Sequence, residues 1–218
     1  MIKGIIFDLD GVLLDSMSIW NDLGARYIRS LKKEPEDGLN EILFSMSMEQ
    51  GADYLKEHYK IRKSTASILN GIQDMLRDFY YYEVPAKPGA DELMKFLKEK
   101  EMRITAATSS PRTHVEKALI RNHLLRYIER IYTTGELGIS KHSPDIYNIA
   151  TRFMKQSPEN VLVLEDSLYA LKTAKAAGYK TVGVYDKDGE TDQAGVEATG
   201  YIYIKNLTEL IEHWTELN

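Results

Sequence analysis

From residue 88 onward the chain alternates short apolar runs with amphipathic stretches, and this alternation is what most restricts its fold. Arg103–Ala107, Ile131–Thr133, Val161–Leu164, Thr181–Val184 and Tyr201–Ile204 read as strands, each too short and too apolar for a surface helix. Between them lie helical patterns at Asp91–Lys100, from Ser110-Pro111 to about Leu125, from Ser143-Pro144-Asp145 to near Met154, at Ser167–Ala177 with Gly178 closing it, and at Leu207–Leu217. In both Ser-Pro pairs the serine is expected to cap the helix and the proline to occupy its first turn. Strand–helix alternation requires a parallel sheet with both faces covered. A further Ile-rich run, Lys3–Phe7, supplies a strand at the other end of the sequence.

The segment between is different. From Met17 to about Tyr82 no strand pattern appears. Apolar residues recur at helical spacing at Trp20, Leu23, Tyr27 and Leu31, with a break at Glu34-Pro35. Further helices fit Met48–Tyr59 and Ser64–Tyr82. Val84-Pro85-Ala86-Lys87-Pro88-Gly89 is a breaker cluster. The expected fold class is therefore α/β: a Rossmann-like parallel sheet core made of residues 1–15 and 88–218, with an inserted all-helical domain over residues 16–87.

Composition narrows the partners. A net charge of −5 argues against a large nucleic-acid-binding face. No apolar run approaches ~18 residues, so no membrane span is expected. There is no cysteine, which removes disulfides and thiolate metal sites. The first residues reach acids too soon for a signal-peptide core. A cytoplasmic protein is expected, and a monomer, since no repeated apolar stripe is left unexplained.

In open parallel sheets ligands bind beyond the carboxyl ends of the strands. After Lys3–Phe7 come Asp8 and Asp10. After Arg103–Ala107 come Thr108 and Ser109. After Ile131–Thr133 and a loop comes Lys141, and after Val161–Leu164 come Glu165 and Asp166. Several carboxylates on one rim repel each other unless a cation joins them. Oxygen ligands around an open position suit Mg²⁺, and a lysine with two hydroxyls suits phosphate oxygens. One carboxylate of the Asp8/Asp10 pair can attack phosphorus while the other moves protons. A calcium loop starting at Asp8 is a poor fit, because Val12 and Leu13 fill the places that need an acid or amide and a glycine.

The same residues carry a family resemblance. Phe7-Asp8-Leu9-Asp10-Gly11-Val12-Leu13-Leu14-Asp15-Ser16 resembles the first motif of the haloacid dehalogenase-like superfamily. Ala107-Thr108-Ser109-Ser110 resembles the second, Lys141-His142-Ser143-Pro144-Asp145-Ile146-Tyr147 the third, and Leu164-Glu165-Asp166-Ser167 the fourth. The helical insert stands where that family carries a helical cap. The resemblance implies Asp8 as nucleophile and metal ligand, and Asp10 as general acid/base that also ligates metal through its carbonyl. It implies phosphate binding by Thr108, the Ser109 backbone N–H and Lys141. Asp166 becomes a metal ligand, with Glu165 a direct or water-mediated one. A Mg²⁺-dependent phosphatase of a small phosphorylated metabolite, such as a sugar phosphate, is the implied activity, with the insert closing at Leu14–Ser16 and Val84–Pro88.

The layout is most similar to the β-phosphoglucomutase and sugar-phosphatase branch. Trp20 stands where the mutase has a cap histidine, and Met48 near where it has a phosphate-gripping arginine; both favour hydrolysis. A mutase and a non-catalytic binding protein on the same scaffold are the alternatives, and intact Asp8, Asp10, Lys141 and Asp166 argue against the second. His142 replaces a proline common after the motif lysine. The five histidines, His58, His114, His123, His142 and His213, show no ligand spacing. Phe79-Tyr80-Tyr81-Tyr82 and Trp20 are read as packing residues, and nothing singles out Arg77 or Lys87 as substrate contacts.

Overall fold

The structure is a computed structural model that describes residues 1–44 and 46–217. Six strands form one parallel sheet: β1 (Gly4–Phe7), β2 (Arg103–Thr108), β3 (Arg130–Thr133), β4 (Val161–Glu165), β5 (Lys180–Val184) and β6 (Ile202–Ile204), in the spatial order β3-β2-β1-β4-β5-β6. Every residue of β1 and of β4 is buried, which explains why Gly4–Phe7 and Val161–Leu164 run apolar rather than alternating. Phe7 pairs with Ala106 on one side and with Leu164 on the other. The chain builds outward from β1 through β2 to β3 and then returns to the opposite side of β1 for β4. That reversal opens a crevice at the carboxyl ends of the central strands.

The helices are α1 (Leu23–Ser30), α2 (Leu39–Phe44), α3 (Met48–His58), α4 (Thr65–Asp78), α5 (Ala90–Glu99), α6 (Arg112–Arg121), α7 (Thr134–Leu137), α8 (Asp145–Met154), α9 (Leu168–Ala176), α10 (Gln193–Thr199), α11 (Glu209–Glu212) and α12 (Trp214–Leu217). Among the described residues none is long and apolar enough to cross a membrane. On one face of the sheet, Ile146, Tyr147, Ala150 and Met154 of α8 join Ile6, Ala107, Tyr132, Val161 and Val163 in a buried cluster.

The chain divides into two compact units, Met1–Met17 with Val84–Asn218, and Ser18–Glu83. In the second, α3 starts from a capping box in which the Ser47 hydroxyl accepts from Gln50 N and the Gln50 side chain accepts from Ser47 N. This reciprocal pairing satisfies two amides the helix would otherwise leave open. Helix α4 does not stop at Asp78 but widens into one π-helical turn, Phe79–Glu83, with Phe79 and Tyr80 buried. In the first unit the two segments bordering the helical one pair with each other. Asp15 N donates to Pro85 O and Lys87 N to Leu13 O, at 3.0 and 2.9 Å.

Three expectations need correction. Neither Ser110 nor Ser143 caps a helix. Pro111 and Pro144 are the N-caps, with ψ of 134° and 1°, so each serine lies one residue too far out to reach the first-turn amides. Helix α6 ends at Arg121, not near Leu125. Asn122 there donates to Ala118 O and Val84 O and accepts from Ala86 N, while His123 takes a positive φ of 59°. The expected final helix is two short ones, α11 and α12, interrupted at His213.

Candidate active site

The strand ends bring four of the sequence-derived residues into one buried group. Asp8 follows β1, Glu165 ends β4, Asp166 comes next, and Lys141 arrives from the loop after α7. All four are at most 8% exposed. Carboxylate oxygens of Asp8, Glu165 and Asp166 lie within 4.8 Å of one another. The Lys141 ammonium lies between two of them, 2.8 Å from Asp8 Oδ1 and 2.5 Å from Glu165 Oε1.

The turn after β1 aims Asp8. Leu9 N donates to Asp8 Oδ1 at 2.7 Å, and Leu9 O accepts from the amides of both Leu13 and Leu14. Gly11 takes a φ of 72°, and a Cβ built there would sit 2.2 Å from Asp166 Oδ2. Only glycine tolerates both the left-handed backbone and that approach.

Asp10 sits at the edge of the group, half-buried. Its Oδ1 accepts from the Ser16 hydroxyl at 2.7 Å and its Oδ2 from the Ser110 hydroxyl at 2.6 Å. Thr108 is fully buried, and its Oγ1 accepts from Ser110 N at 3.0 Å and lies 3.4 Å from Asp10 Oδ2. Ser109 is exposed at the strand end. Nothing in the sequence singles out Ser16 and Ser110 as site residues. Their only signal is their place inside the first and second motifs.

Electrostatics follow from burial of like charges. Burial, then Glu165, raise the Asp8 pKa well above the ordinary carboxylate range despite Lys141. Burial also raises Glu165. Asp166 is pushed up to about 7, by burial first and then by Asp8. Burial alone would discharge Lys141, but Asp8 and Glu165 outweigh it and the net shift is upward. Three acids against one lysine leave a group that favours a further cation.

Glu165 shows how one would fit. Its Oε1 accepts from both Lys141 and Tyr147, whereas the buried Oε2 has no hydrogen-bond partner among the described residues. A bare buried carboxylate oxygen is costly unless something positive meets it. The all-oxygen donor set suits a hard divalent ion.

Other residues are placed elsewhere. Lys87 is engaged 2.7 Å from Asp186 Oδ2, and Arg77 pairs with Asp74 and Asp78. His142 stacks on Tyr169 with ring centroids 4.4 Å apart. Trp20 is not a core residue. It is 45% exposed and, with Leu23, Leu43, Met48, Leu55 and Ile72, borders a cavity of about 350 Å³ within the helical unit.

A doubly wound parallel sheet with acids and a lysine at its switch point has the groups to hold a divalent cation beside an anionic ligand. Residues 2–178 match the haloacid dehalogenase-like hydrolase family, and the chain belongs to that family. It is 26% identical over 180 residues to a phosphorylated carbohydrates phosphatase of Thermotoga maritima, covering 83% of each chain. It is 27% identical over 218 residues to a validoxylamine A 7'-phosphate phosphatase of Streptomyces hygroscopicus subsp. limoneus, covering 96% of each. A solved Thermotoga maritima structure, provisionally named β-phosphoglucomutase, superposes with a TM-score of 0.87 over the whole of both chains at 24% identity, a likeness of fold.

Proposed function

We propose that this hydrolase is a Mg²⁺-dependent phosphatase of a small phosphorylated carbohydrate, working through an aspartyl-phosphate on Asp8. The observation that carries the reading is the convergence of the Asp8, Glu165 and Asp166 carboxylates within 4.8 Å beside Lys141. The substrate class is supported by the relatives named for phosphorylated carbohydrate and validoxylamine phosphate substrates.

Asp8, Asp166, Glu165 through Oε2 and the Asp10 backbone carbonyl would hold the cation. When bound, Mg²⁺ supplies positive charge that offsets the repulsion between a carboxylate nucleophile and a phosphate dianion. An Asp8 oxygen bonds to phosphorus as the ester P–O bond breaks. Asp10 gives its proton to the departing alkoxide, so the alcohol leaves neutral. Asp10 then takes a proton from water, whose oxygen attacks the phosphorus of the aspartyl-phosphate, and inorganic phosphate leaves with Asp8 regenerated. Thr108, the Ser109 N–H and Lys141 hold the phosphate oxygens throughout. Ser16 and Ser110 hold the two Asp10 oxygens, so that the acid does not rotate away between the steps. Trp20, at the place of the mutase histidine, and Met48, near that of its arginine, favour release of phosphate over its return to a sugar.

The test is phosphate release from a panel of hexose, pentose and sugar-alcohol phosphates with Mg²⁺, and again with EDTA. Turnover of at least one that EDTA abolishes is expected. Absence of turnover across the panel, or turnover indifferent to EDTA, would reject the reading.

A further inference from the structure

Tyr147 stands apart from the strand-end residues, on the inner face of α8. Its ring is 1% exposed within the core cluster and meets the Tyr179 ring edge-on at 6.0 Å. A phenylalanine would fill that space equally well. The hydroxyl is what the apolar packing does not explain, since a buried phenol is costly unless it finds a partner. It leaves the core at the strand ends and donates to Glu165 Oε1 at 2.9 Å, the oxygen that also receives Lys141 at 2.5 Å. Both donors thus fall on one end of the carboxylate, and the other end, Oε2, is buried with none among the described residues.

We propose that Tyr147 is a positioning residue for the cation: by pinning Glu165 Oε1 it turns Oε2 toward the metal. The inference rests on the cation site proposed above. The terminal torsion of a glutamate is broad and roughly two-fold, so a carboxylate without fixed donors can swing its oxygens. Lys141 cannot do the pinning alone, because its ammonium is shared with Asp8 and is assigned to phosphate during turnover. Tyr147 has no such second duty. Its ring is held by the core, and its hydroxyl has this one oxygen to serve.

The experiment is Mn²⁺ binding, followed by the electron paramagnetic resonance signal of the free ion, on the full chain without substrate. Tyr147→Phe keeps the ring and removes one oxygen. It is expected to raise the Mn²⁺ Kd by ~10-fold or more, the usual cost of losing a residue that orients a metal ligand. The far-ultraviolet circular dichroism stays unchanged. In a Glu165→Gln background the same substitution should leave the Kd where Glu165→Gln alone puts it. An unchanged Kd for Tyr147→Phe, or an effect that persists undiminished in the Glu165→Gln background, overturns the role of Tyr147 while leaving the cation site in place. Failure of the unaltered chain to bind Mn²⁺ at all overturns the cation site, and this inference with it.

Discussion

Ser110 donates its hydroxyl to Asp10 Oδ2 at 2.6 Å, joining the loop after β2 to the turn after β1 across 100 residues of chain. The bond lies at the mouth of the carboxylate group and fixes one of the two oxygens of the proposed proton carrier. Proton transfer depends on such alignment more than on binding does. Ser110→Ala is therefore expected to lower kcat by about 10-fold, a part of the ~10²–10⁴-fold that general acid–base help provides. KM should move little and the melting temperature hardly at all, since Ser16 still holds Oδ1. Steady-state kinetics beside a thermal melt checks this, and a wild-type kcat would show that Asp10 needs no such tether.

Gly11 offers a backbone test. Alanine there must adopt a φ of 72° and place its Cβ 2.2 Å from Asp166 Oδ2, so Asp166 has to move. The expected cost is about 1–3 kcal/mol of stability, typical of strain at a special φ/ψ, together with weaker Mn²⁺ binding. Gly135, in α7, is the control, because an added Cβ there meets none of the described residues within 4 Å. Denaturant melts of the two alanine variants should differ in that order, and equal stabilities would remove the argument for Gly11.

The buried acids make the metal-free protein sensitive to pH in a stated direction. Burial, and then the Asp8 carboxylate, push the Asp166 pKa from the ordinary 3.8 up to about 7. Between those values the folded chain holds a proton that the unfolded chain has released, so stability falls as pH rises. Asp8 and Glu165 are shifted the same way. The oppositely shifted Asp91, Glu129, Glu136 and Glu159 act at lower pH, as their carboxylates protonate. Lys141, shifted up, loses its contribution only in alkali. In EDTA the melting temperature is thus expected to fall from pH 5 to 7. The stabilisation gained on adding Mg²⁺ should grow over the same range, because its ligands must be deprotonated. A Mg²⁺ increment that shrinks with rising pH would contradict the account.

Much of this was legible in the sequence because buried strands advertise themselves. Val161–Leu164 is apolar throughout, and the acids after it mark where the sheet meets water; the structure only lengthens β4 to include Glu165. The parallel sheet followed from alternation alone. Contacts between distant residues were less legible. Ser110 and Ser143 each precede a proline and read locally as caps, and no local signal reports that Ser110 faces Asp10. Tyr147 falls at an inward position of an amphipathic helix, where any large apolar residue satisfies the pattern, and its hydroxyl contact depends on how α8, lying over β1, β2 and β3, is placed relative to the end of β4. Trp20 matched the helical spacing of Leu23 and Tyr27, yet it belongs to a 3₁₀ turn, Met17–Asn21, whose tighter winding breaks that register.

The central claim is that Asp8 carries the phosphoryl group. Radiolabelled acetyl phosphate has a leaving group good enough to need no acid, so Asp10→Asn should still be phosphorylated but lose the base that activates water, and the covalent species should accumulate. Acid quenching within the first turnovers, followed by proteolysis, locates the label. The account predicts label on the peptide containing residue 8 in the wild type, more of it in Asp10→Asn, and none in Asp8→Asn. Phosphate release with no labelled peptide, or equal labelling of Asp8→Asn, would contradict it.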